Sequence, residues 1–431
     1  MTYRVEKHAT LQRMPLRQPL VLGGLAAANI GVAFLYQWYV LVTIGPGTAT
    51  DALFAGMTVP QLVLAVVSMS LTHVLVPLLG GEAPDRSRHD AWAFFTLVGS
   101  AFAALAALLG ITASYWVPVT VPGFSKDAQD LTVYLTRVQL VGMVFTALTG
   151  VQSAVYHARQ SFVWVEMSPL LTGAAGLGAL VFLIPAYGVE AVAWVTTVRL
   201  AAQVVLLMPG MGAWIRPDLT SQSVRTVWKR IKPLLLGTAY YKTDPLVDRF
   251  LLSSAASGSL SLFYFAQQLY GAGTAVLGRA IVTPLVPTLS VLHKARNRTA
   301  FRAAYHRALW QVGIPAIAGL VVVALFGKPL LSLIVGHGTV TSANIDQLWR
   351  IMLGLGGAFM GGAMASVTAS SFYARTDTRY PTRLGIITYT LYIPIKVASY
   401  QLGGVMALAI SASAFYLVNM IMQYIRLERG E

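Results

Sequence analysis

Apolar stretches of about twenty residues recur along this chain about twelve times, each long enough to cross a bilayer as a helix. The predicted spans are 20–44, 52–79, 91–117, 130–156, 165–187, 189–214, 234–256, 259–291, 308–334, 346–373, 384–401 and 404–425. The connections at 45–50, 257–258 and 402–403 are very short, whereas those at 215–233 and 292–307 are longer and polar. Each long connection has the pattern of a short amphipathic surface helix, as around Val224, Val227, Trp228 and Ile231, or of a basic linker. Proline falls within several spans, at Pro60, Pro77, Pro169, Pro245, Pro284, Pro287 and Pro394. Each removes a backbone donor and favours a kink, a property suited to helices that move.

Basic residues concentrate in every second connection. One set holds Arg4, Lys7, Arg13 and Arg17, then Arg86 and Arg88, then Arg159, then Arg216 through Lys232, then Lys294 through Arg307, then Arg375, Arg379 and Arg383, and finally Arg426 and Arg429. The alternate set holds only Lys126. By the positive-inside rule this predicts an even number of spans with both termini cytoplasmic. Residues 1–18 are polar and basic, unlike the apolar core of a cleaved signal peptide.

Composition agrees with a membrane protein. The chain is 56% hydrophobic and 11% charged, with a mean hydropathy of +0.64, against about a quarter charged for soluble domains. The net charge of +15 sits in short loops beside membrane spans. It is therefore topogenic and attracted to anionic lipid rather than to nucleic acid. The chain has no cysteine, which excludes disulfide and thiolate chemistry. There is no phosphate-binding Gly-rich loop with Lys-Ser/Thr, no H-E-x-x-H and no G-x-S-x-G, and the histidines do not fall at metal-ligand spacing. An enzyme and a resident metal are not expected.

The two halves repeat one another. Leu75-Val76-Pro77-Leu78-Leu79 corresponds to Leu285-Val286-Pro287-Thr288-Leu289, and Arg137 with Tyr156 and Arg159 corresponds to Arg350 with Tyr373 and Arg375. The expected fold is an all-α polytopic membrane protein with two six-helix bundles, 1–215 and 216–431, in parallel repeat around a central cavity.

Charges inside the spans are the functional candidates, because a charge at mid-bilayer costs about 2.5–3.5 kcal/mol unless it faces a partner or a wet cavity. Span seven carries Lys242, Asp244, Asp248 and Arg249; other spans carry Arg137, Arg199, Arg279 and Lys396. Asp244 and Asp248, four apart, share a helix face and either hold the basic groups or bind a coupling cation such as sodium or a proton. Cations outnumber acids in the core, which implies an anionic ligand. Guanidinium groups match phosphate oxygens, so Arg249, Arg279 and Lys242, supported by Arg199, Arg137 and Lys396, form the candidate substrate site. Lys328 and Arg350, near span ends, have the position of snorkelling residues.

Three segments resemble the MurJ/MviN flippase family. The first runs Thr50-Asp51-Ala52-Leu53-Phe54-Ala55-Gly56-Met57-Thr58-Val59-Pro60. The second includes Val247-Asp248-Arg249, Ser257-Gly258-Ser259-Leu260-Ser261 and Tyr264-Phe265-Ala266-Gln267-Gln268-Leu269. The third is Phe372-Tyr373-Ala374-Arg375-Thr376-Asp377-Thr378-Arg379-Tyr380-Pro381. The resemblance makes Asp51, Pro60, Gln268, Arg375 and Asp377 motif-like positions. It implies an alternating-access transporter of the bacterial cytoplasmic membrane. Its substrate would be a polyprenyl-pyrophosphate-linked saccharide, such as lipid II or an exopolysaccharide or O-antigen unit, with membrane lipids and cell-envelope biosynthesis proteins as partners. Family arginines of the first, second and eighth helices correspond here to Tyr36, Leu64 and Gln268, and the family's usual fourteen spans to about twelve. The alternatives are a MATE-like cation/drug antiporter, which needs an acidic cavity, and a non-transporting envelope scaffold.

Overall fold

The computed structural model describes residues 17–80, 84–218, 224–225 and 240–429. Twelve α-helices occur among them: α1 Arg17–Ile44, α2 Thr48–Gly80, α3 Pro84–Ile111, α4 Ala113–Thr120, α5 Lys126–Ala158, α6 Phe162–Leu207, α7 Asp244–Leu252, α8 Ser259–Leu277, α9 Thr283–Lys294, α10 Arg298–Val335, α11 Ser342–Ala374 and α12 Arg379–Arg429. Nine helical segments among the described residues are long and apolar enough to cross a membrane.

Two of the nine are double. Inside α6, Gly188 has φ 54° and ψ −134°, and inside α12, Gly404 has φ 60° and ψ −147°. These are conformations open to glycine but strained for other residues. The chain reverses at both points. Trp164 Nε1 donates to the Leu206 carbonyl at 2.9 Å, and Gln203 Nε2 to Ser168 Oγ at 3.4 Å, so the arms of α6 run antiparallel. The arms of α12 do likewise: Asn419 Nδ2 donates to Thr388 Oγ1 at 3.0 Å, and the Tyr392 and Phe415 rings stack at 4.4 Å. The expected spans 165–187/189–214 and 384–401/404–425 are these arms.

Several sequence expectations are revised by local geometry. Pro245 stands in the first turn of α7, where the missing N–H has no α-helical partner to lose, whereas Pro284 follows the π turn inside the continuous helical segment Ser259–Lys294. Span eight is not one α-helix: a π-helical turn, Gly278–Val282, joins α8 to α9. The 292–307 connection is no surface helix. Asn297 Oδ1 accepts the Ala300 N–H at 3.0 Å and starts α10 at Arg298, so only 295–297 remain as linker. The described part of span seven opens with a 3-10 turn, Tyr241–Thr243; its residues 234–239, and the surface-helix positions Val227, Trp228 and Ile231, lie outside the described residues.

Packing is asymmetric along the helix axes. The largest buried apolar cluster draws on the ends of helices near the 45–47, 253–258 and 336–341 turns, including Leu41, Phe54, Leu260, Phe263, Val335 and Leu348. It contains residues of both halves. At the basic end the buried clusters are separate, one around Leu75, Phe94 and Val151 and one around Leu289, Tyr305 and Val367.

Hydrogen bonds between the halves gather at the shared end. Asp51 Oδ2 accepts the Gly258 N–H and Asp51 Oδ1 the Ser261 N–H, both at 2.7 Å. Thr339 N–H donates to the Val42 carbonyl at 3.0 Å, Gly123 N–H to Ser253 Oγ at 3.0 Å, and Trp38 Nε1 to the Ile334 carbonyl at 2.5 Å. Thr48 and Ser257 hydroxyls meet at 2.9 Å. This end is a continuous seam.

Candidate functional site: a cationic central cavity

Beneath the seam lies a cavity of about 530 Å³ walled by α1, α2, α6, α8 and the π turn. This volume is within the usual range of about 300–1,000 Å³ for ligand pockets. Phe34, Met57, Phe265 and Leu269 give it apolar surface, and Asn29, Gln37, Gln268, Glu166, Arg199 and Arg279 give it polar surface. The seam covers one end through Phe54 and Tyr264, whose rings stack at 4.4 Å.

Two of the sequence-selected cations reach this cavity. Arg199 comes from the second arm of α6. Its guanidinium lies 5.1 Å over the Tyr36 ring, and its Nε has no hydrogen-bond partner. Tyr36 is itself held by its hydroxyl, 2.8 Å from Thr196 Oγ1. Arg279 projects from the π turn and is exposed within the cavity. A π turn displaces the side chains that follow it relative to an uninterrupted helix, a device common at functional sites. No ion pair to Arg199 or Arg279 occurs among the described residues. The cavity's single acid, Glu166, is engaged by Asn29, whose Nδ2 donates to the Glu166 carbonyl at 2.8 Å and to Oε2 at 3.2 Å.

The other selected charges lie elsewhere. Lys396 is fully buried against α7, with Nζ 2.5 Å from Asp244 Oδ1 and 2.7 Å from Asp248 Oδ1. The Asp244/Asp248 face thus meets an ammonium group, and Gln267 donates to Asp248 Oδ2 at 3.3 Å. Arg249 is buried one layer behind the cavity. Its guanidinium packs 5.2 Å from the Tyr264 ring, and Tyr264 accepts from Gln268 Nε2 at 2.9 Å. Two of its nitrogens, Nε and Nη1, find no hydrogen-bond partner. Arg137 is exposed on α5, donating through Nε to the Gly110 carbonyl at 2.9 Å and through Nη2 to Ser114 Oγ at 3.0 Å. Lys242 lies in the 3-10 turn before α7 and is not part of the cavity wall. Lys328 and Arg350 both pair with Asp346, so they are ion-paired rather than merely snorkelling.

The motif-like positions divide by role. Asp51 makes the seam, Pro60 is buried inside α2, and Gln268 lines the cavity. Arg375 lies 4.6 Å over the Phe301 ring at the basic end. Asp377 starts α12, Oδ1 accepting the Arg379 and Tyr380 N–H groups at 3.0 and 3.1 Å. Asn29, Gln37, Thr196 and Glu166 were not selected from sequence. The available signal was polar spacing within the first span: Asn29, Ala33, Tyr36 and Gln37 fall at i, i+4, i+7 and i+8, one helix face.

A helical membrane fold closed at one end over a central cationic cavity defines a transporter-type protein. Solved structures share the architecture. A lipid II flippase MurJ in an inward closed conformation superposes with a TM-score of 0.81 at 14% identity, over 95% of this chain and 87% of that one. An inward-facing MATE family multidrug resistance transporter superposes with a TM-score of 0.66 at 14% identity, over 95% and 93%. The family profile described as lipid II flippase MurJ matches residues 41–430, and the chain belongs to that family. The lipid II flippase MurJ of Burkholderia cenocepacia is 24% identical over 390 residues, covering 86% of this chain and 75% of the relative. A probable lipid II flippase MurJ of Vibrio cholerae is 29% identical over 226 residues, covering 51% and 41%.

Proposed function

We propose that the protein is an alternating-access flippase of the bacterial cytoplasmic membrane. It moves a polyprenyl-pyrophosphate-linked saccharide of the lipid II type. The observation that carries this reading is the pair Arg199 and Arg279 on the cavity wall without carboxylate partners among the described residues. Two guanidinium groups facing a polar cavity suit a pyrophosphate, whose oxygens accept their hydrogen bonds. The positions corresponding to family arginines support it: Tyr36 and Gln268 line the same cavity, and Arg199 stands over Tyr36. A cationic drug would meet this cavity unfavourably, which argues against an antiporter of cations.

Under the positive-inside rule the basic end faces the cytoplasm and the seam faces outward. The six-helix halves, 1–215 and 216–431, then rock about the cavity. In the state described the outer end is closed and the cavity belongs to the inward-facing half of the cycle. Asp244 and Asp248 serve to neutralise Lys396, so the charge cluster of α7 and α12 is a fixed part of the second half. The test is rescue of a bacterium depleted of its lipid II flippase. Wild-type rescue with loss in Arg199→Ala and Arg279→Ala, at normal membrane levels, is the expected result. Full rescue by both variants overturns the site.

A further inference from the structure

The central cavity holds acceptor oxygens that a pyrophosphate cannot use. Asn29 of α1 and Glu166 of α6 are half-buried on its wall. Asn29 Nδ2 spends both of its N–H groups on Glu166, one on the backbone carbonyl at 2.8 Å and one on Oε2 at 3.2 Å. This fixes the carboxylate against the carboxamide. Asn29 Oδ1 and Glu166 Oε1 remain, and neither accepts a hydrogen bond from the described residues. No ion pair to Glu166 occurs among those residues.

An ionised carboxylate accepts hydrogen bonds and donates none. A pyrophosphate is an acceptor too, so Arg199 and Arg279 attract it while Glu166 repels it. A charge within a membrane span persists where it meets a partner or a wet cavity, and Glu166 meets the cavity. The part of a saccharide-linked lipid that offers donors is the saccharide, through its hydroxyl and amide groups. Phe34 and Phe265, with ring centroids 6.3 Å apart, supply apolar wall beside these polar groups, the mixture by which pockets orient a ligand.

The acceptors and the cation above them stand at different levels. Tyr36 follows Asn29 by two helical turns, about 10 Å along the α1 axis, and the Arg199 guanidinium lies over the Tyr36 ring. One extended headgroup can therefore meet both. A site built to hydrogen-bond hydroxyl or N–H groups rejects an analogue that lacks them, because its own polar atoms are then left unpaired. From these observations we infer that Glu166, oriented by Asn29, binds the hydroxyl and amide donors of the cargo's saccharide and so selects the saccharide-linked lipid over the sugar-free carrier, an assignment that rests on the flippase reading.

The test is equilibrium binding of lipid II and of undecaprenyl pyrophosphate to the purified full-length protein in detergent, by microscale thermophoresis. Wild type is expected to bind lipid II more tightly. Glu166→Ala should weaken lipid II binding about ten-fold and leave undecaprenyl pyrophosphate unchanged or tighter, which also reports an intact cavity. Glu166→Gln keeps an acceptor oxygen and should fall between wild type and Glu166→Ala. Asn29→Ala, a second and independent variant, should lose the same preference, whereas Arg199→Ala should weaken both lipids. Lipid II binding unchanged in Glu166→Ala, or weakened there as much as undecaprenyl pyrophosphate, overturns the saccharide assignment and leaves the flippase reading in place. Glu166→Gln as weak as Glu166→Ala also overturns it, since charge rather than an acceptor oxygen then decides binding. Failure of the wild type to bind either lipid overturns the flippase reading and the saccharide assignment with it.

Discussion

Asp51 of α2 caps the start of α8, its two carboxylate oxygens accepting the Gly258 and Ser261 N–H groups at 2.7 Å. One side chain thus joins the two halves of the molecule through a helix N-terminus, where a negative charge is favoured. It sits 3% exposed in the middle of the seam.

Removing this carboxylate should open the seam. A hydrogen bond to a charged group contributes about 1.5–3 kcal/mol, and losing two exceeds the ~1.4 kcal/mol that shifts an equilibrium ten-fold. The chain contains no cysteine, so a single Ser259→Cys reporter, at a seam position only 1% exposed in the closed state, can be labelled cleanly. Asp51→Ala is expected to raise its labelling by an impermeant maleimide about ten-fold or more. An unchanged rate would remove Asp51 from the closure.

Gly338 should be intolerant of a side chain. It has a φ of +62°, and a Cβ there would collide with the Val42 carbonyl oxygen across the seam. Gly338→Ala is expected to impair closure and reduce rescue of the depleted strain while leaving membrane levels near normal. Gly150, where an added methyl group would meet nothing within 4 Å, is the control: Gly150→Ala should rescue as wild type does.

Lys396 should matter for stability in a way that depends on its partners. Breaking a buried ion pair by removing one side costs about 3–5 kcal/mol, because the remaining charge is uncompensated. Lys396→Met alone leaves Asp244 and Asp248 facing one another and is expected to melt well below wild type in detergent. Adding Asp244→Asn and Asp248→Asn should restore much of the loss. Equal melting of the single and triple variants would contradict the pairing.

Arg137 should be dispensable for transport, in contrast to Arg199 and Arg279. Its hydrogen bonds go to the Gly110 carbonyl and to Ser114, outside the cavity. Arg137→Ala is expected to retain rescue of the depleted strain. Loss of rescue at normal membrane level would bring α5 into the substrate path.

Much of this architecture can be read directly from the residues. Span lengths and the reversals at Gly188 and Gly404 follow from apolar runs punctuated by glycine. The charges are harder to read. Lys396, Arg199 and Arg279 look alike in sequence, as single cations inside apolar helices. Lys396 is neutralised by acids about 150 positions away, and Arg199 is laid over an aromatic ring of another helix. The polar face of α1 was visible as a spacing, yet nothing local distinguished it from a face packed against protein.

The sequence by itself determined that the chain crosses a membrane, roughly where, with which alternation of basic ends, and that single cations lie inside the spans. These depend on local periodicity and on transfer free energies of individual side chains. The expected excess of cations over acids in the core does not hold among the described residues, where the buried acids Asp51, Asp90 and Asp248 outnumber the buried cations Arg249 and Lys396. Only the tertiary structure decided which cations face the cavity, which are neutralised, and that one end is sealed while the basic ends pack separately. The physical reason is that a helix's rotation about its axis, and hence the partner each charge meets, is set by neighbours distant in the chain.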